Sequence, residues 1–313
     1  MAIVTLTLNP ALDLETAVAH VRPRDKLRCS EPRSDPGGGG INVARAIKTL
    51  GGSARAAIAL GGATGAVIAA SLQDAQIDFL TLTAPGPTRQ NLSVIDAASA
   101  EQFRFIFPGP TWTLDDLAAV AAPLSGAVGA GDILVLSGSL PPGLAPEALV
   151  NLAQSHVMRG VRVVVDTSGA PLIAMARSAR GLCLLRMDDG EAEELFARTL
   201  PQAADSADAA QALVRDGVAE AVIIARGTEG SVLATAKRRW FAPAADVPVA
   251  SLTGAGDSFV AAATLAIAQE GTWPEVLSAG CAAASSAVTT PATALCDPDV
   301  YATLLPGAGA RRI

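Results

Sequence analysis

Residues 132–166 read DILVLSGSLPPGLAPEALVNLAQSHVMRGVRVVVD. Two aliphatic runs, Asp132 to Leu136 and Arg162 to Asp166, have the character of strands, and Ala145 to Arg159 between them carries a helical pattern. Parallel neighbours need a crossover of this size, and a helix supplies it. The unit repeats outward in both directions. Strands are expected at Ile3 to Leu8, Ala54 to Leu60, Leu182 to Arg186 and Ala221 to Ala225. Helices are expected at Ile41 to Leu50, Gly65 to Asp74, Leu114 to Val120 and Ala204 to Arg215. The alternation predicts an α/β fold: a mostly parallel, doubly wound sheet with helices on both faces. In such sheets a ligand sits outside the carboxyl ends of the strands. No repeat of fixed period stands out.

Two segments break the rhythm. Residues 14–35 hold Pro23 and Pro32 with alternating polar and apolar positions and no helical period. Residues 91–107, NLSVIDAASAEQFRFIF, read as two strands joined by a polar turn. In the second strand Phe103, Phe105 and Phe107 share one face, and Arg104 and Ile106 share the other. An exposed row of three Phe needs a cover. The expectation is a small β-sheet lid, formed by about residues 14–35 and 89–107, packed over the main domain or against a second subunit; extra strands of the main sheet are the alternative.

Composition narrows the classes. The chain has 313 residues, of which 17% are charged and 50% hydrophobic, which excludes a predominantly disordered chain. Its net charge of −7 argues against a nucleic-acid partner, which requires a basic footprint. Of the 23 cationic side chains only Lys26, Lys48 and Lys237 are lysines. The mean hydropathy of +0.38 comes largely from Ala, and the apolar run Phe259 to Ala268 is far short of a membrane span. The N-terminus lacks a basic region and a small-residue cleavage site, so no signal peptide is expected and the chain reads as cytoplasmic. Cys29, Cys183, Cys281 and Cys296 are scattered without a CxxC pair and read as small buried hydrophobes in a reducing compartment.

Chemistry concentrates in two glycine motifs. PGGGG, Pro36 to Gly40, precedes the helical run INVARAIKTL. It is neither a Walker A loop nor GxGxxG, because Asn42 stands where the third glycine belongs. Successive glycines at a helix start let backbone amides approach a ligand; a flexible turn is the alternative. The second motif is TGAGDSF, Thr253 to Phe259. Gly254, Ala255 and Gly256 would converge their amides on an anion at the positive end of an Ala-rich helix. Asp257 in the first turn would then be a general base taking the proton from an attacking hydroxyl. Simple helix capping explains such an Asp equally well.

TGAGDSF resembles the C-terminal signature of the ribokinase-like sugar kinases, and PGGGGINVARAI resembles their N-terminal one. Five further segments in family order, TLTLNPALD (5–13), KLRC (26–29), GGATG (61–65), TRQNL (88–92) and SGSLPPG (137–143), look like the phosphofructokinase branch. KLRC, GGATG, TRQNL and EQFRF (101–105) are most similar to its 6-phosphofructokinases. The resemblance covers most of the chain. It implies one ribokinase-like kinase domain over residues 1–313, with a β-lid that doubles as a homodimer interface. It also implies ATP- and Mg²⁺-dependent phosphoryl transfer to a sugar phosphate, foremost fructose 6-phosphate. Tagatose 6-phosphate or fructose 1-phosphate kinase is the alternative within the branch, and a sugar-phosphate-binding protein with little kinase activity the alternative from another class.

The same resemblance assigns residues. Asp257 is the base, with Gly254, Ala255 and Gly256 as the anion hole. Asp13, Gly38, Gly39 and Asn42 face the sugar, and Lys26, Arg89, Arg104 and Ser139 lie near it and its phosphate; alone, either Arg could equally be a solvated lid residue. A phosphate dianion calls for two or three cationic donors. ATP falls to Arg186, Asp188, Ala225, Gly227, Gly230 and Ser285. Here the chain departs from the branch, with Arg186, Met187 and Asp188 in place of Lys-Pro-Asn and Ala225 in place of a hydroxyl residue. Asp188 and Glu191 would hold Mg²⁺, directly or through its waters; alternatively the run DDGEAEE caps a helix. Some relatives hold a monovalent cation on backbone carbonyls, here around Ser251, Thr253 and Ala287.

Overall fold

The computed structural model describes residues 1–291 and 294–313. The chain opens with the fully buried apolar strand β1 (Ile3–Thr7), then leaves the main layer for β2 (Ala11–Val18) and β3 (Arg33–Gly37). It returns through α1 (Gly39–Thr49), β4 (Arg55–Leu60), α2 (Gly62–Asp74) and β5 (Phe79–Thr83). A second excursion forms β6 (Arg89–Asp96) and β7 (Gln102–Ile106). Regular alternation follows: α3 (Leu114–Ala127), β8 (Ile133–Ser137), α4 (Pro146–Met158), β9 (Arg162–Asp166), α5 (Gly169–Ser178) and β10 (Leu182–Asp188). After α6 (Asp189–Phe196), α7 (Ala203–Arg215) and β11 (Ala219–Ala225), the chain turns antiparallel through β12 (Gly230–Thr235) and β13 (Arg239–Pro243). It ends in α8 (Ala255–Ala268), α9 (Trp273–Ala287), α10 (Pro298–Leu304) and the short β14 (Arg311–Arg312).

Among the described residues the large sheet has ten strands in the order β14-β13-β12-β11-β10-β9-β8-β1-β4-β5. From β5 to β11 every neighbouring pair is parallel. Both faces are covered, as alternation within β8 shows: Leu134 and Leu136 enter one core with α3, α4, α5 and α7, whereas Ile133 and Val135 enter another with α1, α8 and α9. Strands buried on both faces read as continuous aliphatic runs, which is what made residues 132–166 legible. The winding reverses between β1 and β8. A crevice opens there at the carboxyl ends of the two strands.

The two excursions pair with each other. Their four strands form a separate sheet in the order β3-β2-β6-β7, with β2 parallel to β6 and antiparallel pairs on either side. The small sheet is thus distinct from the large one, the first of the two arrangements the sequence left open. All five residues of β7 are exposed, and so is Phe107 beyond it. Between β2 and β3 the chain runs exposed over residues 22–32, tied back where the Ser30 N–H donates to the Ala17 carbonyl.

Other details differ from expectation. The strands β5, β12, β13 and β14 are additional, and α3 runs on to Ala127 with Pro123 inside it. Cys183, Cys281 and Cys296 are buried, but Cys29 is exposed on the β2–β3 loop, so only three thiols behave as small core hydrophobes. No described helix is long and apolar enough to cross a membrane.

Candidate active site

The site is built where the N-termini of α1 and α8 meet. Gly254, the N-cap of α8, has a left-handed backbone (φ 81°), and no side chain caps the helix, so its first amides are left without a side-chain partner. Asp257 lies in that first turn and receives a 2.9 Å hydrogen bond from Asn42 Nδ2, on the first turn of α1. Burial, reinforced by the Asp166 carboxylate, pushes the Asp257 carboxyl up to about 6; the Asn42 hydrogen bond, Arg186 and Arg45 work in the other direction. A carboxyl with that value is a proton acceptor poised near neutrality.

Arg186, on β10, approaches the same turn. Its Nη1 donates to Asp166 Oδ1 at 3.1 Å, and its guanidinium lies 6.0 Å from the centroid of the Phe259 ring. A side chain at Gly256 would bring Cβ to 3.3 Å from Arg186 Nη1, so the glycine permits the close approach of cation and helix start. Burial opposes the charged form of Arg186, but Asp166, Glu191 and Asp188 outweigh it and hold the guanidinium above its ordinary value. Its Nε is buried without a hydrogen-bond partner. A fixed cation beside free helix amides suits a transferring phosphoryl group.

Against one face of the small sheet lies an open cleft lined by Asp13, Asp35, Asn91, Arg104 and Ile106, with Thr253 from the loop before α8 on its other side. Asp13 accepts a 2.7 Å hydrogen bond from Asn91 Nδ2, and burial raises its carboxyl. A Cβ at Gly37 would overlap Asp13 Oδ2, and one at Gly39 would overlap Ser137 Oγ. Gly38 carries φ 125°, a conformation that only glycine adopts freely. These glycines let the start of α1 sit tightly against β1, β2 and the end of β8. Ser139, just beyond β8, accepts a 3.0 Å hydrogen bond from Asn9 Nδ2, which bridges the two strands at the reversal point.

The cations expected at the sugar phosphate separate. Arg104 lines the cleft. Arg89 instead donates through Nη1 to the Phe107 carbonyl (3.0 Å) and through Nη2 to the Asn9 carbonyl (3.2 Å), fastening the base of the small sheet. Lys26 is exposed on the β2–β3 loop and is not among the residues lining the cleft.

At the expected nucleotide end, Asp188 is the N-cap of α6. Its Oδ1 accepts from Glu191 N–H while Glu191 Oε2 accepts from Asp188 N–H, both at 2.8 Å. The two carboxylates are therefore a reciprocal cap as well as candidate metal ligands. Burial raises Glu191, against the lowering effect of that Asp188 amide. Among the described residues no group of three or more His, Cys, Asp or Glu could hold a metal on its own. Mg²⁺ bound through one or two carboxylates, retained water and substrate phosphate needs no such cage. Ala225 pairs with Asp188 across β10 and β11, and Gly227 and Gly230 shape the turn that follows. Ser285 Oγ accepts from Ala245 N–H on the other side. The Ala287 carbonyl already accepts from both the amide and the hydroxyl of Thr290.

Sequence reasoning missed Asp166, Arg45, Asn9 and Gly37. Asp166 had a signal, a carboxylate ending the aliphatic run VRVVVD at the carboxyl edge of the sheet. Arg45 follows Asn42 by three residues, hence on the same helix face.

The chain belongs to the pfkB family of carbohydrate kinases, whose model matches residues 7–300. It is 40% identical over 297 residues to the ATP-dependent 6-phosphofructokinase isozyme 2 of Escherichia coli (strain K12), covering 95% of this chain and 96% of the relative. The crystal structure of phosphofructokinase-2 from Escherichia coli in complex with fructose-6-phosphate superposes with a TM-score of 0.91 at 38% identity, covering 98% of this chain and 99% of that one. That enzyme in complex with potassium gives a TM-score of 0.93 at 38% identity, covering 97% and 98%.

Proposed function

We propose that the chain is an ATP-dependent 6-phosphofructokinase, which transfers the γ-phosphoryl group of ATP to the primary hydroxyl of fructose 6-phosphate. The observation that carries the reading is the Asp257 carboxyl, raised to about 6 in the first turn of a glycine-opened, uncapped helix beside a buried guanidinium. Asp257 accepts the proton of the attacking hydroxyl, and Asn42 holds the receiving carboxyl in place. The amides of Ala255 and Gly256, opened by the left-handed turn at Gly254, and the Arg186 cation meet the charge on the transferring group. Asp13 accepts from sugar hydroxyls with Gly38 and Gly39 beside it, and Ser139 and Arg104 take the sugar's phosphate. Arg89 and Lys26 complete the phosphate site when the small sheet closes on the large one, excluding water.

ATP lies along Asp188, Ala225, Gly227, Gly230 and Ser285. Asp188 and Glu191 would hold Mg²⁺, directly or through its waters, and the ion would neutralise charge on the nucleotide phosphates. A monovalent cation on backbone carbonyls around Ser251, Thr253 and Ala287 belongs to the same reading, and a related enzyme is known in complex with potassium. The whole chain acts as one kinase domain with the small sheet, about residues 14–35 and 89–107, as its lid. The exposed Phe103, Phe105 and Phe107 make that sheet the contact of a homodimer. Three buried free thiols suit the reducing cytoplasm.

Incubation of the purified protein with fructose 6-phosphate, ATP and Mg²⁺ should release ADP in step with fructose 1,6-bisphosphate. Values of kcat/KM for fructose 6-phosphate, tagatose 6-phosphate and fructose 1-phosphate then fix the acceptor. A higher value for either of the other two would replace the proposed substrate, and no ADP with any of them would end the kinase reading.

A further inference from the structure

One buried guanidinium lies outside the catalytic turn and has every N–H engaged. Arg226 follows Ala225 at the end of β11, and its side chain is only 4% exposed. Its Nε and Nη2 donate to Glu229 Oε2 and Oε1 at 3.0 and 3.2 Å. Its Nη1 donates to the Leu200 carbonyl at 2.8 Å and to Ser206 Oγ at 2.6 Å, and Nη2 also donates to the Pro201 carbonyl at 3.1 Å. Five donors in a planar fork thus meet two separate pieces of chain. One is the turn between β11 and β12, closed by the Arg226 amide donating to the Gly230 carbonyl at 2.8 Å. The other is the connector from α6 to α7 together with the first turn of α7.

The connector is anchored in the core by Leu200 alone, 2% exposed, and the turn has no buried apolar side chain. Gly227 and Glu229 are exposed, and Gly230 (φ 128°) is packed so closely on Ala242 that a side chain there would overlap its carbonyl. The connector hangs from α6 by the Glu193 carboxylate, which accepts from the Leu200 amide at 2.7 Å. Ala225 stands beside Asp188, the N-cap of α6, so the turn and helix α6 flank one edge of the sheet. Arg226 joins the turn on one side of that edge to the segment trailing α6 on the other. A Lys offers one flexible ammonium where five directed bonds are needed.

We infer that Arg226 is a positioning residue for the nucleotide, fixing the β11–β12 turn and the α6–α7 connector as one wall and so setting affinity for ATP without touching a reacting group. This rests on the reading that ATP lies along Ala225, Gly227 and Gly230. A wall that binds nucleotide equally in ground and transition states alters KM for ATP and leaves kcat alone.

The test compares wild type with Arg226→Met and Glu229→Gln. Mg·ATP binding is followed by titration calorimetry, KM is measured for both substrates, and hydrogen exchange is read over residues 198–206 and 226–230. In Arg226→Met the Kd and KM for ATP should rise about tenfold, equivalent to about 1.4 kcal/mol. KM for the sugar phosphate and kcat at saturating ATP should stay within about twofold, with faster exchange confined to the two segments. Glu229 is more than half exposed, so Glu229→Gln folds and should give a rise in the same direction of about threefold. If Arg226→Met does not fold, Glu229→Gln decides. Unchanged ATP affinity in the folded variants, or equal losses for both substrates, overturns the positioning role and leaves the kinase reading standing. A wild-type chain that neither binds nor consumes ATP overturns both.

Discussion

The property that suits Asp257 to the proposed role of base is a cost to the fold. Its carboxyl, raised from 3.8 to about 6, keeps a proton in the folded chain over a range where the unfolded chain has released it. The associated stability is therefore complete below about pH 4 and lost as pH rises through about 6, an effect on the order of 3 kcal/mol. Activity runs the other way, because the base must be deprotonated: kcat/KM should rise with pH through about 6 and level off above about 7. Asp257→Asn should lower kcat by about 10²–10⁴-fold with little change in KM for the sugar phosphate. The same variant should melt higher than wild type at pH 8 and alike at pH 4, since the introduced amide oxygen can still accept from Asn42. Stopped-assay kinetics and thermal melts across pH check both; wild-type turnover in the variant would remove Asp257 from the mechanism. The motif TGAGDSF made this carboxyl visible in the sequence because glycines and a charge at a helix start are local signals. Asp166 and Arg45 were not visible as partners, because their effect on Asp257 depends on β9 and α1 meeting α8 in space.

At the scale of elements, the cleft depends on strand contacts that leave no room for a side chain. Gly37 closes the β2–β3 pair opposite Ala11, and a Cβ there runs into the Asp13 carboxylate. Gly37→Ala should therefore displace Asp13, raising KM for the sugar phosphate about tenfold while kcat falls by less than threefold. Overpacking of this kind costs about 1–3 kcal/mol of stability, readable in the same variant by denaturant unfolding. Unchanged sugar affinity would mean that Asp13 does not bind the sugar. The parallel elements were legible because aliphatic runs and helical periods alternate, and the expected bounds of Arg162–Asp166 agree with β9. The antiparallel β12 to β14 were not, since strands near the edge such as Arg239–Pro243, flanked outside only by the two-residue β14, carry mixed sequence and borrow their order from the strand beside them. Arg89 was read as a phosphate ligand from its motif, yet in this structure it holds the Asn9 and Phe107 carbonyls. Motif position fixes where a long side chain starts, not which of several acceptors it reaches.

At the scale of the whole molecule, an acidic chain presents an apolar row on its smaller sheet. Phe103, Phe105 and Phe107, alternate residues in sequence, are 37%, 48% and 51% exposed. Burial at about 25 cal/mol per Å² would favour covering such a row, and the proposed homodimer covers it with a second copy. Sedimentation velocity at micromolar concentration should give a species larger than the 31.5 kDa chain, and the double variant Phe103→Ser, Phe105→Ser should shift it toward monomer. A monomeric wild type would remove the dimer.

The parallel pairing of β2 with β6 also bears on the order of folding. Asp13 and Asn91, hydrogen-bonded neighbours in the small sheet, are 78 residues apart in sequence. Between them come β3, α1, β4, α2 and β5, so β2 meets its partner only after that loop is closed. Contacts of such separation are slow to form. On the ribosome, β1, α1, β4 and β5 can assemble while β2 still waits for residues 89–96. The cleft is thus among the last parts of the N-terminal half to exist, and a chain stalled before that point would hold the glycine-rich start of α1 with no roof over it.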